Sequence, residues 1–391
     1  MSDTQKHTKP NVPNLRFPVF EGEWEQHLLS EYLEFKNGLN PSAKSFGEGI
    51  EGIKFISVMD ILNNPYITYD CIRASVNATE KEKQEFNVEY GDILFQRSSE
   101  TLEDVGHANV YLDRKPALFG GFTIRGKKKG DYNPLFFKYL LDSPKARKKV
   151  IVKGAGAQHF NIGQEGLSSV SLFFPAMQEQ NKIAVLLELL DQRIAIQNKV
   201  IEKYESLIKA LYRQLIPEDG DEHAALGTLV QICKGKQLNG EYLSDNGKYY
   251  VMNGGITPSG YYDDYNTSAG TISISEGGNS CGFVQYNEAP FWSGGHCYTL
   301  LQTSNERIQY KFLYHFLKSK QEEIMSLRIG SGLPNIQKKD LGSYPVPILP
   351  YNYQIVITKI LDAVCQHIEI ERVILDGITL QKQYFLQALF I

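Results

Sequence analysis

Apolar residues fall on one side of a helix over two long stretches of this chain. From Ile183, steps of four and three residues reach Leu187, Leu190, Ile194, Gln197, Ile201, Tyr204, Ile208, Leu211 and Leu215. From Ile357 the same steps reach Leu361, Val364, Ile368, Glu371, Leu375, Ile378, Lys382, Phe385 and Leu389, each 174 positions beyond its counterpart. Heptad spacing of this kind predicts two long amphipathic helices, over 178–216 and from about Tyr353 onward, each needing a partner for its stripe. At ~1.5 Å per residue such a helix is roughly 58 Å long, and antiparallel pairing of the two predicts a coiled coil. Gln197 and Glu371 break the stripes at matching places and are expected to fix the register of pairing. Lys382 on the second stripe, with Gly377 nearby, is expected to loosen the packing at that end.

The match continues outside the helices, which shared periodicity alone does not require. Gly154-Ala-Gly156, Asn161-Ile162 and Phe173-Phe174-Pro175 precede the first helix; Gly330-Ser-Gly332, Asn335-Ile336 and Ile348-Leu349-Pro350 precede the second. Farther upstream, Phe137–Ser143 resembles Leu313–Ser319 in pattern, and Leu29…Gly38 resembles Leu226…Gly235. The chain therefore reads as an internal duplication, each half a globular region followed by a long helix. Short β-rich runs (Gly52–Val58, Gly91–Phe95, Lys248–Met252, Thr271–Ser275) alternate with one helix per half, over Leu135–Lys148 and Tyr310–Leu327. The polar breaker run from Pro217 to Asp221 ends the first half. The expected architecture is mixed α/β: globular domains over 1–176 and 217–350, spacer helices over 177–216 and 351–391, and pseudo-two-fold symmetry.

Composition narrows the class. Lys and Arg (41) nearly balance Asp and Glu (45), giving a net charge of −4, so any anion-binding surface must be local. Five scattered cysteines without a C-x-x-C pair read as reduced thiols rather than a disulfide or zinc framework. The polar N-terminus lacks a signal-peptide core, and no stretch approaches the ~18 apolar residues of a membrane span, so a cytoplasmic protein without a membrane partner is expected.

Catalytic motifs are sparse. Gly47-Glu-Gly49-Ile-Glu-Gly52 fits G-x-G-x-x-G, but a β-type run follows where a dinucleotide site needs a helix N-terminus. Asn64-Pro65-Tyr66 resembles the [DN]-P-P-[YF] motif of adenine methyltransferases, with one proline missing and no glycine loop for S-adenosylmethionine; a turn is the simpler reading. His296-Cys297 has no second pair nearby and reads as strand interior rather than part of a metal site. What stands out is charge: between Arg125 and Lys153 ten basic residues face only Asp131 and Asp142. Lys127, Lys128, Lys129, Arg147, Lys148, Lys149 and Lys153 are the candidate phosphate contacts there, with Lys338 and Lys339 in a weaker counterpart in the second half. Asn253, in the Gly- and Tyr-rich segment Tyr249–Tyr262, is a candidate for reading base edges.

The layout resembles the DNA-specificity subunit of type I restriction-modification systems. The marks are Pro13-Asn-Leu15-Arg16-Phe17-Pro18-Val-Phe20 followed by Trp24, Gly91-Asp92-Ile93-Leu94, and the twice-repeated Gly-x-Gly, Asn-Ile, Pro, long-helix series. The resemblance implies a non-catalytic chain with two target-recognition domains that read the halves of a split site on double-stranded DNA, the helices acting as a ruler between them. It further implies two adenine-methyltransferase subunits, restriction subunits and a role in phage defence. This chain would bind no cofactor or metal; S-adenosylmethionine, ATP and magnesium would belong to the partners. Leu187, Leu190, Ile194, Gln197 and Ile201 with Leu361, Val364, Ile368, Glu371 and Leu375 are the expected packing positions. A free-standing N6-adenine methyltransferase is the alternative.

Overall fold

The structure is a computed structural model and describes residues 11–42, 46–48, 52–156, 158–217, 222–304, 306–330, 332 and 334–391. The extreme N-terminus (1–10), positions 49–51 of the glycine motif and positions 218–221 of the breaker run lie outside the described residues. Contacts divide the chain into two units, residues 1–198 with 374–391, and residues 199–373.

In the first unit an antiparallel four-stranded sheet runs in the order Leu33–Asn37, Thr123–Lys128, Ile93–Gln96, Ala108–Val110. The second unit repeats it as Val230–Lys234, Cys297–Gln302, Thr271–Ser275, Val284–Asn287. Ile93–Gln96 is buried along its whole length, as the apolar run Ile93-Leu94-Phe95 with neighbours on both sides requires. Gly91 enters it at φ 91°, a conformation suited to glycine, and the buried Asp92 carboxylate accepts the N–H groups of Glu89 and Lys128. The heads differ beyond the shared sheet. The first adds five strands (Phe46–Glu48, Ala74–Val76, Ile53–Ile56, Ala117–Phe119, Asn87–Val88), whereas the second adds three (Tyr261–Tyr262, Tyr249–Met252, Trp292–Ser293).

Each expected head helix is two helices. Pro134–Asp142 stops at Ser143, whose extended backbone is what a following proline favours; Pro144–Ile151 starts anew with the Ser143 hydroxyl capping Ala146 N–H. In the second head Tyr310–Ser319 and Gln321–Ser326 meet at Lys320, which has left helical geometry at φ −101°, ψ 15°. His296 lies in a turn rather than a strand, and only Cys297 opens the strand.

The long helices are Met177–Leu215 and Tyr351–Ala388. Their stripes face inward. In the first unit Ile183, Leu187, Leu190, Ile378, Leu389 and Phe390 enter one core with the head residues Trp24, Phe136 and Leu140. In the second, Ile208, Ile357, Leu361 and Ile368 enter another with Leu226, Phe312 and Leu313. Of the remaining packing positions Ile201 is buried, while Ile194, Val364, Leu375, Gln197 and Glu371 are half-buried. Within the second unit the helices run antiparallel: Glu205 pairs with Arg372, and Tyr212, two turns on, lies beside Cys365.

Lys382 does not loosen the stripe. Its ammonium lies 2.5 Å from Asp191, both largely buried, and Tyr139 donates its hydroxyl to the same carboxylate at 2.7 Å. Gly377 faces outward, with nothing within 4 Å of where a Cβ would stand, so it leaves packing untouched. The leader motif is a clamp. Leu15 N–H donates to Ala388 O, and the Arg16 guanidinium grips Glu179 through two hydrogen bonds of 2.8 and 2.7 Å at the start of the first long helix. Trp24 packs edge-on against Phe136 and Phe390.

Two stability changes of opposite sign are expected in denaturant unfolding. Gly377→Ala should stabilise by about 0.5–1 kcal/mol, because alanine lowers unfolded-chain entropy without a clash. Arg16→Ala should destabilise by roughly 3 kcal/mol, since Glu179 is 2% exposed and is left as an unpaired buried charge.

Candidate nucleic-acid interface

The basic run is not one continuous charged face. Arg125 is buried, donating to Asn87 O, and Lys138 is buried against Asp142 at 2.6 Å. Arg147 spends its guanidinium on the carbonyls of Glu103 and Val105, both at 2.8 Å, and Lys149 donates to Ser171 O while lying over the Phe173 ring. Burial lowers the proton affinity of both. Lys128 donates to Tyr132 O, and Lys127 stands 4.0 Å from Glu89. The exposed cations of the set are Lys129, Lys148 and Lys153, with Lys338 and Lys339 in the second unit. Asn253 is half-buried, and its Oδ1 accepts His296 N–H at 3.1 Å. A long side chain on a short helix covers neighbouring backbone, so a count of positive charges overstates the surface they make.

Asn64-Pro65-Tyr66 forms the turn that ends helix Val58–Asn63. Asn64 Nδ2 donates to Asp60 O, its carbonyl accepts from buried Asn109, and Tyr66 packs against the first core. A side chain and carbonyl committed to a helix end are not arranged to hold an extruded base.

The sequence reading missed a polar frame that is built twice. Gln180, in the first turn of the first long helix, accepts Asn133 N–H at 3.0 Å and donates to Pro175 O. Gln354, 174 residues on, accepts Gln309 N–H at 2.7 Å and donates to Leu349 O and Arg307 O. Asn133 and Gln309 are the N-caps of the two head helices, so each buried amide ties a long helix to its own head. Nearly two turns later along the head helices, Tyr139 bonds Asp191, and His315 bonds Asp362 at 2.9 Å with Lys311 at 3.4 Å from the same carboxylate. The repeat offset pairing Gln180 with Gln354 was the available signal.

Duplicated heads of unequal composition, each tied to long helices by the same hydrogen bonds, can be set beside known families. A family model described as the type I restriction modification DNA specificity domain matches residues 21–206 and again residues 219–380. The chain belongs to this specificity family. Two type I restriction enzyme specificity subunits of Methanocaldococcus jannaschii are 24% and 22% identical to it, over 94% and 90% of this chain and 93% and 88% of theirs. A protein of Mycoplasma pneumoniae named as a type I specificity subunit is 40% identical over 124 residues, and that match spans 32% of this chain and 33% of the relative. The crystal structure of a type I restriction-modification S subunit from M. genitalium shares the fold, with a TM-score of 0.66 over 97% of this chain and 99% of that one at 20% identity. Neither the family nor these relatives support a free-standing methyltransferase. Among the described residues no helix is long and apolar enough to cross a membrane, and no group of three or more His, Cys, Asp or Glu side chains is placed to hold a metal ion.

The specificity fold's second head carries a buried titratable group. His315 is 0% exposed, and burial outweighs the Asp362 hydrogen bond, lowering its proton affinity below the ordinary value of 6.5. The unfolded chain then binds a proton that the folded ring resists, so stability is full above that value and falls as pH drops below it. Protection factors of the Tyr310–Ser319 amides, taken relative to intrinsic exchange at each pH, should fall between pH 7.5 and 5.5, and His315→Gln should flatten that dependence; His107 in the first head, also lowered by burial, continues to titrate.

Proposed function

We propose that this chain is the sequence-reading subunit of a type I restriction-modification complex. Each head reads one half of a bipartite, asymmetric site on double-stranded DNA, and the fixed length of the long helices sets the unspecified base pairs between the halves. The chain performs no chemistry itself. Two methyltransferase subunits carrying S-adenosylmethionine modify adenine at the target, and restriction subunits use ATP and magnesium to cleave unmodified DNA, which makes the assembly a cytoplasmic barrier to phage. The observation that carries the reading is the double match of the specificity domain to two heads sharing one four-stranded sheet but bearing different second sheets: identical heads would favour a symmetric site, and unequal ones favour two different half-sites.

Exposed Lys129, Lys148 and Lys153 supply sequence-independent attraction to phosphates. Replacing all three with Ala is expected to weaken binding across every sequence tested and to make the salt dependence shallower, by about one unit of slope per lost contact. Mapping N6-methyladenine across a host genome with the methyltransferase partner, with and without this chain, should reveal a new two-part motif of fixed gap. An unchanged methylome overturns the proposal.

A further inference from the structure

The repeated sheet lets positions in the two heads be matched by backbone hydrogen bonds. In the first head Arg97 follows strand Ile93–Gln96; its N–H donates to Phe122 O and its carbonyl accepts from Ile162 N–H, both at 2.9 Å. In the second head Glu276 follows strand Thr271–Ser275; its N–H donates to His296 O and its carbonyl accepts from Ile336 N–H, again both at 2.9 Å. Neighbouring strands agree: Gly38 N–H bonds Thr123 O as Gly235 N–H bonds Cys297 O, which aligns Asn37 with Lys234. One frame therefore holds Asn37 and Arg97 in the first head and Lys234 and Glu276 in the second. The cation has changed strands while keeping its place.

The two versions are partnered differently. Glu276 is 8% exposed and holds Lys234 Nζ at 2.6 Å and the Tyr298 hydroxyl at 3.2 Å on one oxygen, so the exposed Lys234 is fixed in position. Arg97 makes a single long bond, Nη1 to Gly121 O at 3.3 Å. It opens on a cleft of about 520 Å³ with Asn37, Asn161, Gln164 and Glu165 on its walls. The guanidinium fork thus presents donors to a cleft large enough for a base edge, and Phe122 beside it is 71% exposed. Glu165 on the rim disfavours a phosphate, whose negative charge it repels, and leaves a neutral partner with two adjacent acceptors as the better fit. Guanine offers that pair, O6 and N7, in the major groove. In the second head the position matching Glu165 is Lys339, which is exposed, so the matching site there has a basic rim.

We propose that Arg97 is a specificity-determining residue that reads a guanine in the half-site bound by the first head, with Lys234, braced by Glu276, at the matching place in the second. This rests on the reading of the chain as a DNA-specificity subunit. The test uses the assembled complex of this chain with its methyltransferase partner and reads the methylome. With wild-type chain a two-part motif must appear; its absence overturns the underlying reading rather than this assignment. Given that motif, Arg97→Gln is expected to relax one guanine position in one half, with discrimination there falling roughly 10- to 100-fold, while the other half and the gap stay fixed. Lys234→Gln should disturb only the opposite half. An unchanged motif overturns the assignment, and so does a uniform loss at all sites, which marks a phosphate contact. Should Arg97→Gln lower the melting temperature, Arg97→Lys keeps the charge and removes the fork: relaxed guanine selection with wild-type melting supports the proposal, and full selection overturns it.

Discussion

Everything in this chain hangs on the need of each long helix to bury one apolar face. A 39-residue helix with a narrow stripe is poorly stable alone in water, and most of its stability must come from packing. Here the stripes are buried in two cores, each built from one globular head together with a stretch of both helices. Head and helix are therefore one cooperative structure in either unit. Hydrophobic burial is non-directional, however, and does not say which register a helix takes against its head. The buried amides of Gln180 and Gln354 supply that direction, because each satisfies a specific N-cap N–H and a specific carbonyl, bonds that a slip of the helix would break.

The duplicated polar frame and the unequal surfaces answer to different pressures. Gln180 and Gln354 occupy the same place and make the same kind of bonds in both halves. Nearly two turns along, Tyr139 and His315 deliver different chemistry to carboxylates on the long helices. Farther from the helices, the additional sheets differ in strand number and the matched positions differ in charge. Similarity falls off with distance from the helix junction, as it should if the junction is set by packing and the outlying loops by what each head must discriminate.

Much of the fold was legible in the sequence because it is written in periodicity. The stripes, the repeat offset and the leader motif each involve several residues whose agreement is hard to produce by accident. What the sequence hid was pairwise. Ser143-Pro144 splits a helix that apolar spacing alone would continue. Lys382 reads as a fault in a stripe until Asp191 and Tyr139 are seen beside it. The basic run shows the same limitation from the other side: Arg147 and Lys149 count as surface charge in a tally, yet bind backbone carbonyls across segments far away in sequence. Arg97 was invisible because its interest lies in a comparison with Glu276, and the two are related by hydrogen-bond register rather than by residue type.

The order in which the chain is made adds a consequence to the first core. Ile378, Leu389 and Phe390 complete a core whose other members begin at Trp24, and the whole second head is translated between them. During synthesis the first head must wait with an open apolar slot, with the Leu15 N–H lacking Ala388 O and Trp24 lacking Phe390, while its missing piece is still being made. Domains ordinarily fold as they emerge, but here the N-terminal one is finished late. A chain that stops before Ile378 is thus left with its earliest-made core unsealed and its apolar side chains open to water.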